Sequence, residues 1–387
     1  MTINIINNQY IYQQYPFFNF NFDNLAFMQS QFFYYYHVPS DYFFETLTKE
    51  IKLYEDFTTK NVLILDKIRS KYFTNVEKII KSGLNKKYEI KFGHYGSFFT
   101  NLSIEGSDVD ILVYYKPLLP NLDFLEDIIN LLDEHKEEFE SINPRLSASV
   151  PVIVLQINIS KEIDNEILKF LPYFENKDIS HINIDLTFTS NEKEFKRPEQ
   201  IVNYINTKLK NYEEIRPLLL LIKRYFRVMK MNKSFTGGLS SFSLFLLILA
   251  FLKNQEKEMN LGKYLYYIME KYSFFEFKNF GIDVEGKETY FPLNTNDFNS
   301  SELNNQKIDN IGNIYENNRV EEIKIIDPLT KFNVAKSSFK LYEIKNTFNK
   351  ALYFFKYESL KFQNDNQEEI KSINEDFLII KKLFSIK

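Results

Sequence analysis

Apolar residues recur at spacings of three and four between Phe44 and Ile80, and this period predicts an amphipathic helix. Four later stretches are rich in β-branched residues or alternate apolar with polar side chains, which predicts strands. They are YEIKFGHYGS (88–97), DVDILVYY (108–115), VPVIVLQINIS (150–160) and HINIDLTF (181–188). An acidic amphipathic pattern predicts one more helix over 121–142. The first half of the chain therefore predicts a sheet with helices packed on it.

The chain becomes helical after Pro198, and its longest apolar run, Leu244 to Leu252, is too short to span a bilayer. The polar, Asn-rich stretch 283–320 predicts a long surface loop. A short strand, a turn at Asp327-Pro328 and a helix with apolar residues at 341, 344, 348, 352 and 355 follow. Residues 1–42 are rich in Asn, Gln and aromatics, so they predict either a self-associating tail or an arm that covers a surface.

Composition narrows the class of protein. The 387 residues suffice for two domains, each with its own core. The chain has no cysteine, which excludes disulfides, zinc knuckles and thiol catalysis. The N-terminus lacks a secretion signal pattern, so we expect a nuclear or cytoplasmic protein that is neither secreted nor membrane-bound. A net charge of −4 provides no global basic field for nucleic acid.

The most informative short stretch is GHYGSFFTNLSIEGSDVDILVYY (93–115). Asp108 and Asp110, at i and i+2 of a strand, point to the same side, where their charges repel. Hard oxygen ligands on one face suit Mg²⁺ or Mn²⁺, whereas a solvated turn would explain the pair without a metal. Gly96 allows a close backbone approach, and Ser97 offers an amide and a hydroxyl to a phosphate. Together these residues favour a nucleotidyl-transfer site.

A third carboxylate follows in HINIDLTF. Asp185 lies on the less apolar face of this strand. Because aspartate is disfavoured in strands, a functional role is a better explanation than an exposed edge position. Asp185 would complete a two-metal site with Asp108 and Asp110.

The helical part carries a candidate anion site. Lys223 and Arg227, at i and i+4, share a helix face, from which Arg224 and Lys230 are turned away. In SFTGGLSSFSLF, Ser240 or Ser241 can cap the next helix, whose free amides favour anions. The two cations and this helix start could hold a triphosphate, and Phe242 could stack on a base or belong to the core.

These segments, in this order from about Phe44 to Phe355, resemble the non-canonical poly(A) polymerases and terminal uridylyltransferases of the polymerase-β-like nucleotidyltransferase superfamily. The stretch GSFFTNLSIEGSDVDILV is similar to the family's Gly-Ser and first two catalytic aspartates, and INIDLTF to its third. The stretch KRYFRVMKMNKSFTGGLSSF resembles the triphosphate-binding segment, and IIDPLTKFNVAKSSF the nucleotide-recognition motif.

The resemblance implies an α+β fold of two domains with the active site in the cleft between them. A nucleotidyltransferase sheet domain would span 60–190, and residues 43–59 with 191–387 would form a helical central domain. It implies that Asp108, Asp110 and Asp185 are catalytic and bind two Mg²⁺ or Mn²⁺ ions. Its implied nucleotide-binding residues are Gly96, Ser97, Lys223, Arg227, Ser241, Phe242, Asp327 and Asn333. The family has lysine where Arg227 stands, a mild departure.

The implied activity is template-independent addition of nucleotides, AMP from ATP, to an RNA 3′ end. Uridylyltransferases of this group often carry histidine where Phe332 stands, so the motif favours ATP over UTP. The acidic charge predicts an RNA-binding partner protein. A terminal uridylyltransferase is the first alternative, and a catalytically silent RNA- or nucleotide-binding scaffold is the second. A synthetase of short signalling oligonucleotides is disfavoured by TGGLSSF.

Overall fold

The computed structural model describes residues 37–146, 151–163, 180–293, 323–364 and 378–385. The helix predicted from Phe44 to Ile80 extends further, from Asp41 to Leu84, and is named α1. It begins at Ser40, whose hydroxyl accepts a hydrogen bond from the Phe43 amide at 3.2 Å. The remainder of the predicted N-terminal segment, residues 1–36, lies outside the described residues.

The sheet contains five strands, β1 (Tyr88–Tyr95), β2 (Val109–Pro117), β3 (Ser141–Arg145), β4 (Val152–Asn158) and β5 (His181–Thr189). Their order is β1-β2-β5-β4-β3. Only β2 and β5 run parallel to each other, and every other neighbouring pair is antiparallel. The short helix α2 (Gly96–Phe99) follows β1, and α3 (Phe124–Glu134) follows β2. The sheet with its helices confirms the predicted α+β class.

The helix predicted over 121–142 is wrong beyond Glu134. A 3₁₀ turn at Lys136–Glu138 follows α3, and Ser141 already pairs with Gln156 in the sheet. Tertiary pairing at the sheet edge therefore overrides the local helical pattern.

The remaining described elements are mostly helical. They are α4 (Glu192–Phe195), α5 (Arg197–Asn211), α6 (Ile215–Val228), α7 (Ser241–Lys253), α8 (Leu261–Phe274), the strands β6 (Phe280–Ile282) and β7 (Tyr290–Pro292), α9 (Leu341–Asn364) and α10 (Leu378–Phe384). The β6–β7 hairpin occupies the start of the predicted loop 283–320, whose residues from 294 onward lie outside the described part. Among the described residues, no helix has the length and apolar character needed to cross a membrane.

Helix α1 belongs to both of the hydrophobic cores formed by the described residues. Its N-terminal residues, Phe43 to Tyr54, pack in the core of the helical part, with α6, α7 and α8. Its later residues, Leu65 to Leu84, pack under the sheet. The domain boundary predicted between residues 59 and 60 therefore lies inside a continuous helix. One helix thus fixes the position of the sheet relative to the helical part.

A buried carboxylate of α1 joins it to α10. Both oxygens of Glu50 accept hydrogen bonds from the first amides of α10, Ile379 N at 3.1 Å and Ile380 N at 3.0 Å. Burial raises the pKa of Glu50 to about 7, although these two amides act in the opposite direction. The contact satisfies amides that the start of a helix would otherwise leave unpaired.

We expect Glu50→Ala to lower the free energy of unfolding by about 1–3 kcal/mol, because two buried amides lose their acceptor. The free energy of unfolding of Glu50→Gln should lie between those of the wild type and Glu50→Ala, since glutamine keeps one acceptor oxygen. The exposed Glu45 lies on the same helix, and Glu45→Ala is the matched control. Thermal unfolding measures all four proteins, and equal melting temperatures for both alanine variants would contradict this role of Glu50.

Candidate active site

The turn between β1 and α2 lies against the carboxylate of Asp110. Gly96 has φ +80°, a backbone conformation that favours glycine. A Cβ atom at this position would also collide with the Asp110 side chain. Both the backbone conformation and the lack of space therefore require glycine. Thr100 Oγ1 donates to the Gly96 carbonyl at 3.1 Å and holds the turn closed. Gly96 and Ser97 therefore lie beside the first carboxylates, as the sequence predicts.

Asp110 and Asp185 lie opposite each other on the two parallel strands β2 and β5. Directly paired residues of neighbouring strands project from the same face, so the two carboxylates share one side of the sheet. Asp108 lies just before β2, and its Oδ1 accepts a hydrogen bond from Asn183 Nδ2 at 3.0 Å. Asn183 and Asp185, two residues apart in β5, point the same way. The structure thus brings all three predicted aspartates to one place.

The three carboxylates repel one another in a buried setting. Burial, followed by Asp185 and Asp108, raises the pKa of Asp110 to about 8. Burial and Asp108 raise the pKa of Asp185 to about 6, while Arg145 and Lys233 act in the opposite direction. Each shift reports a cost of ionisation that an additional positive charge would remove.

The donor set suits a divalent cation in its chemistry. Within the described ranges, no three His, Asp or Glu side chains are arranged as a finished metal site. Asp110 and Asp185 supply hard oxygen ligands whose mutual repulsion Mg²⁺ or Mn²⁺ would relieve. The residues present therefore fit such an ion.

The loop that leads to Asp108, residues 102–106, is held by cations. Arg69 of α1 donates to the carbonyls of Ile104 at 3.1 Å and Glu105 at 2.7 Å. Lys223 Nζ donates to the Leu102 carbonyl at 2.6 Å. These carbonyls are inside the protein, where a cationic donor makes a strong hydrogen bond.

Two further arginines of α6 complete this contact. Arg227 donates to the Gly106 carbonyl, and its guanidinium lies where a Cβ of residue 106 would be. Arg224 forms an ion pair with the Glu105 carboxylate, and both side chains are buried. Sequence analysis placed Arg224 away from the site and did not select Arg69 or Glu105. A buried ion pair between distant segments leaves no periodic signal in the sequence.

Lys223 and Arg227, the predicted triphosphate ligands, line the cleft but also hold this loop. Burial and the neighbouring Arg69 lower the pKa of Lys223 to about 7. The structure therefore places both residues near the predicted position, with a bond to backbone that the sequence did not predict.

The start of α7 forms the opposite wall of the cleft. Ser240 is the N-cap, and its hydroxyl accepts a hydrogen bond from the Ser243 amide at 3.0 Å. This leaves Ser241 exposed in the first turn, where it lines the cavity. Phe242, half-buried, also lines the cavity and stacks on Phe245 with ring centroids 6.1 Å apart. Its position is compatible with a base-stacking role.

The predicted recognition motif lies elsewhere. Asp327 accepts hydrogen bonds from the Leu329 amide at 2.9 Å and the Thr330 hydroxyl at 2.7 Å. Asn333 bonds the backbone of Ile325 at 3.0 Å and of neighbouring residues. Both side chains thus stabilise their own loop, and neither is among the residues that line the cavity. Phe332, in contrast, is 71% exposed.

The cleft itself has a volume of about 480 Å³, and both parts of the chain line it. A larger groove of about 780 Å³ lies on the helical part, between α7, α8 and the β6–β7 hairpin. That groove contains Glu270, Glu276 and Lys271 among aromatic side chains and none of the three aspartates. The smaller cleft is the candidate site because Asp108, Asp110, the Gly-Ser turn and the start of α7 all line it. Asp185 is not among the lining residues, but it is paired directly with Asp110.

Asp110→Asn should stabilise the protein in the presence of a chelator, since it removes a buried repelling charge. The folded pKa lies above the unfolded one, so the folded wild type loses stability as the pH rises from about 4 through about 8. At pH 7.5 we expect a melting temperature higher by about 1–3 °C for the variant. Mn²⁺ should raise the melting temperature of the wild type and leave Asp110→Asn unchanged.

The exposed Asp133 of α3 provides the control, Asp133→Asn, which should respond to Mn²⁺ as the wild type does. A lower melting temperature for Asp110→Asn than for the wild type in chelator would contradict the repulsion.

Comparisons with known proteins agree with this geometry. A family model described as a nucleotidyltransferase domain matches residues 76–210. The poly(A) RNA polymerase gld-4 of Caenorhabditis elegans is 27% identical over 303 residues, which are 74% of this chain and 31% of that protein. The inactive non-canonical poly(A) RNA polymerase protein Trf4-2 of Drosophila melanogaster is 27% identical over 206 residues, 50% of this chain and 44% of that protein. The chain thus spans less than half the length of these relatives.

Solved structures share the fold. The polymerase core of TRAMP, a RNA surveillance complex, superposes with a TM-score of 0.57 at 20% identity, over 83% of this chain and 88% of that one. The Cid1 poly(U) polymerase with Mg 3′-dATP bound superposes with a TM-score of 0.53 at 15% identity, over 82% and 92%. The chain therefore contains a nucleotidyltransferase domain, and its sequence is similar to those of non-canonical poly(A) RNA polymerases, whose relatives in solved structures share its fold.

Proposed function

We propose that this protein adds nucleoside monophosphates from a nucleoside triphosphate to RNA 3′ ends without a template. One observation carries the proposal: Asp110, which lines the cleft together with the Gly-Ser turn, is paired directly with Asp185 on the neighbouring parallel strand. Relatives named poly(A) RNA polymerases support RNA as the acceptor.

Each residue of the cleft has a role in this reaction. The Ser97 backbone and hydroxyl and the Ser241 hydroxyl bind the triphosphate, because both lie on the cavity wall. Lys223 and Arg227 keep positive charge behind the phosphates while they hold the loop before Asp108. Phe242 offers its ring to the base. Two divalent cations, Mg²⁺ or Mn²⁺, held by Asp108, Asp110 and Asp185, would polarise the α-phosphate and neutralise the leaving pyrophosphate.

The protein's own part in the chemical step is a proton transfer. The RNA 3′-hydroxyl oxygen forms a bond to the α-phosphorus, and the bond from that phosphorus to the bridging oxygen of pyrophosphate breaks. The proton of the 3′-hydroxyl passes to a carboxylate oxygen of Asp185. Because α1 and α6 fix both walls of the cleft, the acceptor and the triphosphate meet in a set orientation.

The base that this protein selects is proposed to be adenine. Stacking on Phe242 does not distinguish ATP from UTP, because every base has a π-face. Phe332, at the position where related uridylyltransferases often carry histidine, has no side-chain group that can bond a uracil carbonyl. A terminal uridylyltransferase is the alternative, and the fold shared with the Cid1 poly(U) polymerase is compatible with it.

A silent scaffold is the second alternative, since one relative is named inactive. The three carboxylates argue against it, because a non-catalytic chain has no need to bury repelling charges. We also propose an RNA-binding partner protein, because a chain with a net charge of −4 has little electrostatic attraction for RNA.

Asp110→Ala should reduce nucleotide addition by at least ~100-fold, since it removes a ligand of the metal ions on which the transfer depends. The assay uses a labelled RNA primer, Mg²⁺ or Mn²⁺, and each nucleoside triphosphate in turn. Asp133→Ala, at an exposed position of α3, should extend the primer at the wild-type rate. Extension by Asp110→Ala at more than a few hundredths (~0.03) of the wild-type rate would rule out the assigned role of this carboxylate.

In competition at equal concentrations, the wild type should incorporate AMP over UMP and GMP by about 10- to 100-fold, the discrimination expected from one or two hydrogen bonds to the base edge. Phe332→His should shift the ratio towards UMP. Exposed Tyr342→His is the control, and it should leave the ratio unchanged. A wild type that prefers UTP would replace the adenylyl assignment with the uridylyl one.

A further inference from the structure

An exposed aromatic ring with two cations near it lies next to Lys233, a residue that lines the cleft. Phe235 belongs to the 3₁₀ turn Ser234–Thr236, between α6 and α7, and is 62% exposed. The guanidinium carbon of Arg145 lies 5.5 Å from its ring centroid, and Lys233 Nζ lies 5.7 Å from it. The mechanism above uses none of these three residues.

The cluster joins the two sides of the cleft. Arg145 is the last residue of the edge strand β3 and is exposed, whereas Lys233 and Phe235 belong to the helical part. Lys233 also lines the cavity that contains Asp108 and Asp110. The positive charges of Arg145 and Lys233 both act on Asp185. The ring therefore lies beside the opening through which an RNA end has to reach the carboxylates.

A single exposed aromatic side chain is common on protein surfaces, but this ring has two cations within about 6 Å of its centroid, at the mouth of the cleft. Two flanking cations favour a polyanion, and a bare ring favours a flat partner that stacks. Single-stranded nucleic acid combines both properties, since its phosphates meet the cations while its bases stack on the ring. In a chain with a net charge of −4, this local pair of cations supplies an attraction for RNA.

We propose that Phe235, Arg145 and Lys233 form the binding site for the last nucleotides of the RNA primer. A base near the 3′ end stacks on Phe235, and the phosphates on either side of it contact Arg145 and Lys233. The proposal rests on the proposed function, because it takes RNA as the acceptor. It goes beyond that function in assigning these residues to primer binding and in separating them from the triphosphate-binding residues.

The test measures RNA binding apart from catalysis. Fluorescence anisotropy with a 5′-labelled 15-nucleotide oligoadenylate, without metal or nucleotide, gives the Kd of the wild type and each variant. Phe235→Ala and Phe235→Leu should weaken binding about tenfold, because both lose the stacking face. Phe235→Trp should bind at least as tightly as the wild type. Exposed Phe274 of α8 is not among the residues that line the cleft, so Phe274→Ala is the matched control.

The roles of Arg145 and Lys233 are tested by the salt dependence of RNA binding. Arg145→Gln and Lys233→Gln should each reduce the slope of log Kd against log salt concentration by about 0.7, the value for one phosphate contact with a single strand. In primer extension, Phe235→Ala should raise the KM for RNA and leave the KM for ATP unchanged.

The outcomes separate this proposal from the proposed function. A wild type that extends no primer contradicts the function, while the anisotropy series still decides the primer site. Wild-type affinity in Phe235→Ala and Phe235→Leu overturns the primer site and indicates a protein-contact surface instead. Absence of saturable RNA binding by the wild type also overturns it.

Discussion

The contact between the basic face of α6 and the loop 102–106 is the constraint on which the site depends. Lys223, Arg224 and Arg227 each bind that loop, and Arg69 of α1 binds it from the other side. Because the loop leads directly into Asp108 and β2, these bonds set where the first carboxylates lie relative to the helical part. The same bonds connect the sheet to the helices. The relative position of the two walls of the cleft therefore depends on these charged contacts as well as on apolar packing.

The site holds its carboxylates at a cost in stability. Asp110 and Asp185 lie side by side and half-buried, and burial together with repulsion among the carboxylates raises their pKa values. Lys223 of α6 offsets part of it at Asp110, and its Nζ also donates to the Leu102 carbonyl. Divalent cations that bind with the proposed nucleotide substrate would reduce the remaining repulsion between the carboxylates. Substrate binding would therefore stabilise the charged form of the site. Binding energy can then act where charge develops during transfer.

Much of the fold and of the candidate site could be predicted from the sequence, since hydrophobic periodicity and motif spacing are local signals. They located the strands that carry Asp110 and Asp185 and the serine-capped start of α7. They did not locate the end of α3, because pairing of β3 with β4 decides it. The pairing of Arg224 with Glu105 and the internal bonds of Asp327 and Asn333 were also missed. Each depends on contacts between segments whose spacing carries no pattern. Asn183, two residues before Asp185, could have been found from strand alternation.

We propose that one cleft, between the sheet and the helical part, holds both the metal ions and the triphosphate. A crystal structure with Mn²⁺ and a non-hydrolysable ATP analogue tests it most directly, because manganese is located by its anomalous scattering. The account predicts anomalous density in contact with Asp108, Asp110 and Asp185, and a triphosphate between Ser97 and Ser241. Nucleotide bound in the groove beside Glu270 and Lys271, or manganese away from the three aspartates, would contradict it.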